Sequence, residues 1–136
     1  MNQLYDIARE RFLEGQIGWS AMEWVAWLVT EDYVFDPAHT TFSADVPPQA
    51  RVERSLGVLT GLLGIDGYAN ADPITFGRVL PLIGSPPRPC AALLLVGEPS
   101  GMLLWHGDTG FNLPFMADGS EVIVFPDVAF GGFFRL

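Results

Sequence analysis

The sequence predicts a mainly β protein, an antiparallel β-sandwich or barrel-like domain with one N-terminal α-helix. The chain has 136 residues, of which 49% are apolar, so it is long enough for one folded domain and too apolar for a disordered chain. Its 15 Gly and 11 Pro are too many turn formers for a helical bundle. After position 50, short apolar runs recur about every ten residues, a spacing typical of sandwiches and barrels. We therefore expect a single β-rich domain over residues 1–136.

A helix is predicted at the N-terminus, within residues 1–15 and extending over 3–14. Asn2 can cap its start, and Gly15 can end it. Its apolar side chains recur at the spacing of one helix face: Leu4, Ile7, Ala8 and Phe12. A lone helix of this length is marginally stable in water, so we expect the apolar face to dock on another surface.

The segment Met22–Val29 is apolar at both odd and even positions and rich in aromatic residues, which favours a strand buried on both sides. A helix starting at Ser20 also fits the spacing, and periodicity alone does not separate the two structures. The aromatic and β-branched run Tyr33–Phe35 that follows favours the strand.

Seven further strands are predicted between position 51 and the C-terminus. They are Arg51–Leu56, Val58–Ile65, Ile74–Leu80, Ala91–Val96, Met102–His106, Val122–Phe125 and Gly132–Leu136. The acidic segment Asp66–Asp72 is predicted to be a turn between strands, because Asp-Gly and Asp-Pro are turn sequences. Ser85–Pro89 is predicted to be a loop, because proline lacks the N–H group that a strand interior donates.

Charge and cysteine content exclude several classes of function. The net charge is −9 and the chain has no Lys, so nucleic-acid binding would need a local arginine patch, and the arginines are scattered. Without Lys, a Walker-type phosphate loop and Schiff-base chemistry are excluded. The single Cys90 cannot form an internal disulfide. We expect no membrane segment, because no apolar run approaches the roughly 18 residues that a spanning helix needs, and the charged N-terminus argues against a signal peptide.

The two histidines give no recognisable catalytic motif. His106 and Asp108 could form a His–carboxylate pair, but Cys90, Ser100 and Thr109 lie in no nucleophile motif that such a pair would serve. We therefore interpret His106 and Asp108 as surface or turn residues. His39 is predicted to be an exposed loop residue. The acidic segment does not fit a calcium-binding loop and no metal-ligand spacing is present, so we predict no catalytic, cofactor or metal site.

Aromatic residues are concentrated at both ends of the chain. In the first third they are Trp19, Trp24, Trp27, Phe35 and Phe42. A carbohydrate-binding platform is one interpretation of this group, and packing in the core is the favoured one, because aromatic side chains bury the most area. Near the C-terminus, Phe125, Phe130, Phe133 and Phe134 are predicted to belong to a core or to a contact between subunits.

Four groups of residues occur in a characteristic order along nearly the whole chain. The first is Phe12–Trp19 (FLEGQIGW) with the strand segment Met22–Val29 (MEWVAWLV). The second and most specific is Asp32–Pro47 (DYVFDPAHTTFSADVP) followed by Ala50-Arg51-Val52. The third is Leu59-Thr60-Gly61 with Asp66-Gly67, Asp72 and Thr75-Phe76, and the fourth is Cys90–Val96, Leu113–Gly119, Val122–Val124 and Phe133–Leu136. This order resembles a family of small tailed-bacteriophage virion proteins that are encoded among head and tail genes.

The resemblance implies a structural component of a phage particle, without catalytic residues, that is made in the host cytoplasm. The expected role is a decoration or cement protein that binds the major capsid protein and stabilises the head. A tail or connector protein is the alternative, and an immunity-type binding protein or a small hydrolase using His106 and Asp108 is a more distant one.

Composition also predicts assembly. With 49% apolar and 17% charged residues, the monomer is expected to leave apolar surface uncovered, so we expect a homo-oligomer or lattice-bound copies. The candidate contacts lie on the helix face and in the proline-rich loop: Leu4, Ile7, Phe12, Pro86, Pro87, Arg88 and Pro89.

Overall fold

A five-stranded antiparallel sheet forms the centre of the structure, a computed structural model that describes residues 2–78, 89–111, 113–116, 121–125 and 132–135. With strands numbered in chain order, the sheet order is β1 (Gln3–Leu4), β8 (Met102–Gly107), β7 (Cys90–Glu98), β2 (Glu23–Thr30) and β3 (Arg51–Val58). The middle strands β2 and β7 pair along their lengths, from Glu23 opposite Glu98 to Thr30 opposite Cys90. The fold is therefore mainly β, as the sequence predicts.

Among the described residues, two smaller antiparallel sheets and three short helices accompany the central sheet. One small sheet has the order β10 (Phe134–Arg135), β5 (Tyr68–Asn70) and β4 (Leu63–Ile65), and the other pairs β6 (Ile74–Arg78) with β9 (Glu121–Val124). The helices are α1 (Asp6–Leu13), α2 (Phe42–Asp45) and a 3₁₀ turn at Pro48–Ala50.

The central sheet is buried on both faces, which makes the arrangement sandwich-like. Side chains alternate along a strand, so Trp24, Ala26 and Leu28 of β2 face one cluster while Val25 and Val29 face another. The first cluster is completed by the small sheets and helix α1 (Ala8, Ala69, Ile74, Phe76, Val124, Phe133 and Phe134). The second is covered by the segment after β2, through Tyr33, Phe42, Val46 and Ala50. The prediction of a strand buried on both sides over 22–29 is confirmed.

The predicted start of the N-terminal helix is wrong. Helix α1 begins at Asp6, and the preceding Gln3 and Leu4 form strand β1, opposite His106 and Trp105 of β8. Asn2 does not cap the helix, because its side-chain oxygen accepts hydrogen bonds from the backbone N–H groups of Asp108 and Thr109. Pairing with a distant strand therefore outweighs the local helical spacing of Leu4.

The predicted strand over 58–65 is found only at its two ends. Strand β3 continues to Val58, and β4 begins only at Leu63. Between them Gly61 has φ +64°, a left-handed conformation that no strand residue adopts. Tyr33–Phe35 is not a strand, and residues 68–70 of the predicted acidic turn form strand β5.

The turn at Asp66-Gly67 is confirmed. These two residues join β4 to β5 with φ 53° and 83°, which is the geometry of a two-residue hairpin turn. Strands are also found in the other predicted segments, 51–56, 74–80, 91–96, 102–106, 122–125 and 132–136. Residues 79, 80 and 136 of these segments lie outside the described residues. Of the predicted proline-rich loop, residues 85–88 lie outside the described residues, and Pro89 is in neither a helix nor a strand.

Candidate functional site

A groove of about 450 Å³ opens between helix α1 and the last strand, and we call it the helix groove. Its lining side chains come from both ends of the chain: Leu4, Arg9, Phe12, Leu13 and Arg135. Leu13 at the end of the helix is 87% exposed. The groove therefore combines an apolar surface with two arginines.

Aromatic contacts hold the two walls of the helix groove together. Helix α1 packs against the core through Ala8, which is fully buried, and the ring of Phe12 lies 6.0 Å from the ring of Phe134 in β10. Because side chains alternate along a strand, Phe134 is buried and the next residue, Arg135, is exposed at the groove. The Arg135 guanidinium lies 5.4 Å from the centre of the Tyr68 ring, a cation–π contact that orients it.

Two exposed arginines, Arg9 and Arg135, line the helix groove. Neither forms an ion pair with a carboxylate among the residues that the structure describes. The chain as a whole has a net charge of −9. A partner surface that carries both an apolar side chain and a carboxylate would therefore match the groove.

The predicted helix contacts have different positions in the structure. Leu4 lines the groove but is 6% exposed and belongs to the core, so it leaves little surface free for a contact. Ile7 is half-buried and packs against both core clusters, whereas half-buried Phe12 lines the groove. Pro86, Pro87 and Arg88 lie outside the described residues, and Pro89 is half-buried next to the start of β7.

A second exposed apolar surface lies on strand β9, and we call it the β9 face. It consists of Glu121, Ile123 and Phe125, which alternate with the inward-facing Val122 and Val124. Ile123 is 43% exposed and Phe125, directly after the strand, is 61% exposed. Phe125 therefore lies outside the core, while Phe133 and Phe134 belong to the core and Phe130 is outside the described residues.

The core interpretation of the first aromatic group is confirmed. Trp24 and Phe42 are buried, and Trp19, Trp27 and Phe35 are half-buried against the core clusters. The rings of Trp19 and Trp24 stack with centres 5.8 Å apart, and the Trp19 indole N–H donates a hydrogen bond to the backbone oxygen of Asn70.

An acidic cleft of about 360 Å³ is lined by the segment after β2, which contributes Asp32, Asp36 and Asp45. The carboxylate of Asp45 accepts hydrogen bonds from the backbone N–H groups of Thr40 and Thr41, which hold its pKa below the ordinary value. The Nδ1 atom of His39 lies 2.9 Å from the Tyr33 hydroxyl, within hydrogen-bonding distance. His39 is half-buried, so the prediction of an exposed loop residue is wrong. No group of three His, Cys, Asp or Glu that could hold a metal ion is found among the described residues.

The interpretation of His106 as a surface residue is wrong. His106 is 6% exposed within strand β8, and its ring lies 4.7 Å from the ring of Phe35. Asp108 is exposed after the end of that strand, as predicted, and accepts a hydrogen bond from the Thr109 hydroxyl. The sequence could not reveal the burial of His106, because Phe35 and Tyr33 reach it from a distant segment.

Cys90, a possible nucleophile for a hydrolase, is fully buried at the start of β7. Burial raises the pKa of its thiol to about 11. A thiol with such a pKa is almost entirely protonated near neutral pH, and the thiolate is the nucleophilic form.

Arg9, Leu13 and Arg135 were not identified as site residues from the sequence. A signal for Leu13 was present, since an apolar residue at the end of a helix and outside its buried face is expected to be exposed. Arg135 carries no such signal, because only the packing of Phe134 on Phe12 brings it to the helix.

Comparison of the chain with protein-family models, with curated protein sequences and with solved structures gives no match. Among the described residues, no helix is both long enough and apolar enough to cross a membrane.

Proposed function

We propose that this chain is a structural component of a tailed-bacteriophage particle, and specifically a decoration or cement protein of the head. The observation that carries the proposal is the exposure of Leu13 next to half-buried Phe12 and the two exposed arginines of the helix groove. Exposed apolar patches usually mark interaction surfaces, and arginine is enriched among the residues that dominate binding energy.

The residues that carry the family resemblance support a structural role. In the segment 32–52, Arg51 donates hydrogen bonds to the backbone oxygens of Phe42, Ser43 and Val46. Asp45 accepts from the backbone of Thr40 and Thr41. Arg51 and Asp45 thus fix how this segment covers the central sheet, which is a structural role.

The acidic character of the chain favours the outside of the head. A net charge of −9 repels the phosphates of packaged DNA. A protein that repeats over a symmetric lattice can also use weak individual contacts, because binding at many sites multiplies their effect.

The test uses particles made from the genome that encodes the chain, with and without its gene. We expect the chain to remain on purified particles at a fixed copy number and gene-deleted particles to break at a lower temperature. Adding the purified chain back should restore heat stability. Absence of the chain from purified particles would contradict the proposal.

A tail or connector protein is the second candidate. Helix α1 packs beside β8 near one edge of the central sheet, and β6, the partner of β9, packs beside β3 near the other edge. Two different surfaces on opposite sides of a subunit permit a closed ring of subunits. Cryo-EM of the same particles separates the two candidates by the position of the added density.

A further inference from the structure

We propose that His106 is a pH-sensitive switch that controls whether residues 33–39, which we call the cover segment, stay packed on the central sheet. Neutral His106 stays buried beneath this segment, whereas uptake of a proton by His106 opens the segment and leaves the central sheet folded. This inference goes beyond the proposed function and does not depend on it.

Two aromatic side chains of the cover segment bury His106. Between ring centres, the His106 ring lies 4.7 Å from Phe35 and 6.0 Å from Tyr33. Only 6% of His106 is exposed, and Tyr33 is equally buried at 6%. The imidazole is therefore largely shielded from water as long as the cover segment is closed.

The residues paired with His106 across the sheet offer no charge that would balance a protonated ring. They are Gln3 of β1 and Leu94 of β7, and both are uncharged. The carboxylate of Asp108 interacts electrostatically with His106, but Asp108 is exposed after the end of the strand, and water weakens such a pair. Because burial disfavours the charged form of histidine, the closed segment holds His106 neutral.

Among the described residues, the other titratable groups that contact the cover segment or line the cleft beside it are four carboxylates, two tyrosines and one histidine: Asp6, Asp32, Asp36, Asp45, Tyr5, Tyr33 and His39. Carboxylates ordinarily keep their charge between about pH 5 and pH 8. Burial holds the pKa of Tyr5 and Tyr33 above the ordinary tyrosine value, so both stay protonated. Of this set, His39 is the group whose type changes charge in that range, and it lines the open cleft.

The cover segment can open without loss of the central sheet. Its residues belong to neither a helix nor a strand. Its backbone is held by turn bonds, such as that from the His39 N–H to the Asp36 oxygen, and by the bond from the Asp6 N–H to the Pro37 oxygen. Strand β8 pairs with β7 independently of these bonds. Loop segments of this kind open at a lower free-energy cost than core strands do.

Acid should favour the open segment. Once the segment opens, His106 meets water and takes up a proton as exposed histidines do between about pH 8 and pH 5. The open form then binds more protons than the closed form, so the equilibrium shifts toward the open form as the pH falls. The opening constant should rise at least about tenfold over this range.

The experiment measures backbone hydrogen exchange of the full-length chain by NMR between about pH 8 and pH 5. Exchange is expressed as protection relative to an unstructured chain at the same pH. The amides of Asp6 and His39 report on the cover segment, because their bonds end on Pro37 and Asp36, and the amides of β2 and β7 report on the sheet. We expect acid to lower the protection of the first two amides at least about tenfold and to leave the sheet protected.

Substitution of each histidine identifies the group responsible. His106→Phe keeps an aromatic ring without a titratable group and should abolish the acid response, and His106→Gln is a second neutral variant with a smaller side chain. His39→Gln is the matched control, because it removes the other histidine, and it should keep the response. In the wild type, the ring resonances of His106 should titrate in step with the opening.

Four results would overturn the inference. They are unchanged wild-type protection of the cover segment in acid, an equal acid response in the wild type and both His106 variants, loss of the response in His39→Gln, and titration of the His106 ring while the cover segment keeps its protection. None of these measurements involves phage particles, so the proposed function is tested separately.

Discussion

The ring of Phe12 in helix α1 packs against the ring of Phe134 in strand β10, with their centres 6.0 Å apart and their planes inclined at 50°. This contact joins the two ends of the chain and places Arg135 next to the helix. The helix groove is thus a product of tertiary packing. Because Leu4 and Ala8 belong to the core, deleting the helix would damage the fold, and exposed residues such as Leu13 are the suitable probes.

Removal of the Tyr5 hydroxyl should destabilise the fold. Tyr5 is fully buried, and its hydroxyl lies 2.7 Å from that of Tyr33, which in turn is bonded to His39. Tyr5→Phe should lower the free energy of unfolding by about 1 kcal/mol, measured by denaturant titration. Tyr68→Phe is the control, because Tyr68 is only half-buried. An equal effect of both changes would contradict the role of the buried hydroxyl pair.

The guanidinium of Arg51 should stabilise the fold through its hydrogen bonds and ring contact, and not through its charge alone. It donates to three backbone oxygens and lies 4.5 Å from the centre of the Phe42 ring. Arg51→Ala should cost about 2 kcal/mol of unfolding free energy, and Arg51→Lys should recover less than half of it, because an ammonium cannot reproduce the planar fork. Exposed Arg11→Ala should cost less than about 1 kcal/mol. Full rescue by Lys would show that charge alone matters.

Stability should depend on pH through Asp45. Two backbone N–H groups, of Thr40 and Thr41, lower the pKa of Asp45 from its ordinary value of 3.8. The ionised carboxylate therefore stabilises the fold above pH 3.8, and that stabilisation is lost as the pH falls through the lower pKa of the folded chain. The wild type should exceed Asp45→Asn in stability at neutral pH, and the difference should vanish in strong acid. Glu31→Gln changes the net charge equally and serves as the control; the same pH profile for both variants would refute the prediction.

A single methyl group at Gly97 should overpack the core. A Cβ atom there would lie 2.8 Å from the Cζ3 atom of the Trp24 ring, which is fully buried. Gly97→Ala should cost about 1–3 kcal/mol of unfolding free energy. At Gly64 the nearest atom to an added Cβ is the Tyr68 oxygen at 3.8 Å, so Gly64→Ala is the matched control. Equal stability of the two variants would mean that Trp24 has room to move.

The thiol of Cys90 should be unreactive in the folded chain. It is fully buried, and its pKa is raised to about 11. A chromogenic thiol reagent at mildly alkaline pH should react far more slowly with Cys90 of the native chain than with Cys90 of the denatured chain. Rapid labelling without denaturant would contradict this prediction.

Local sequence patterns predicted two kinds of element: turns, which depend on adjacent residues, and strands whose composition is compatible with only one environment. Strands β2 and β7 are apolar at nearly every position, and such a run is stable only when both faces are covered. The Asp66-Gly67 turn follows from the ease with which both residues adopt positive φ. These features determined the mainly β fold and the turn of the β4–β5 hairpin.

Tertiary structure alone decided the edges and the candidate site. The spacing of Leu4 fits a helix, yet the open edge of β8 offers backbone partners at Trp105 and His106, and buried backbone groups must be hydrogen-bonded. His106 is buried by Phe35 and Tyr33, and Arg135 reaches the groove through Phe134. Each of these outcomes depends on contacts between residues far apart in the chain, which periodicity and composition do not encode.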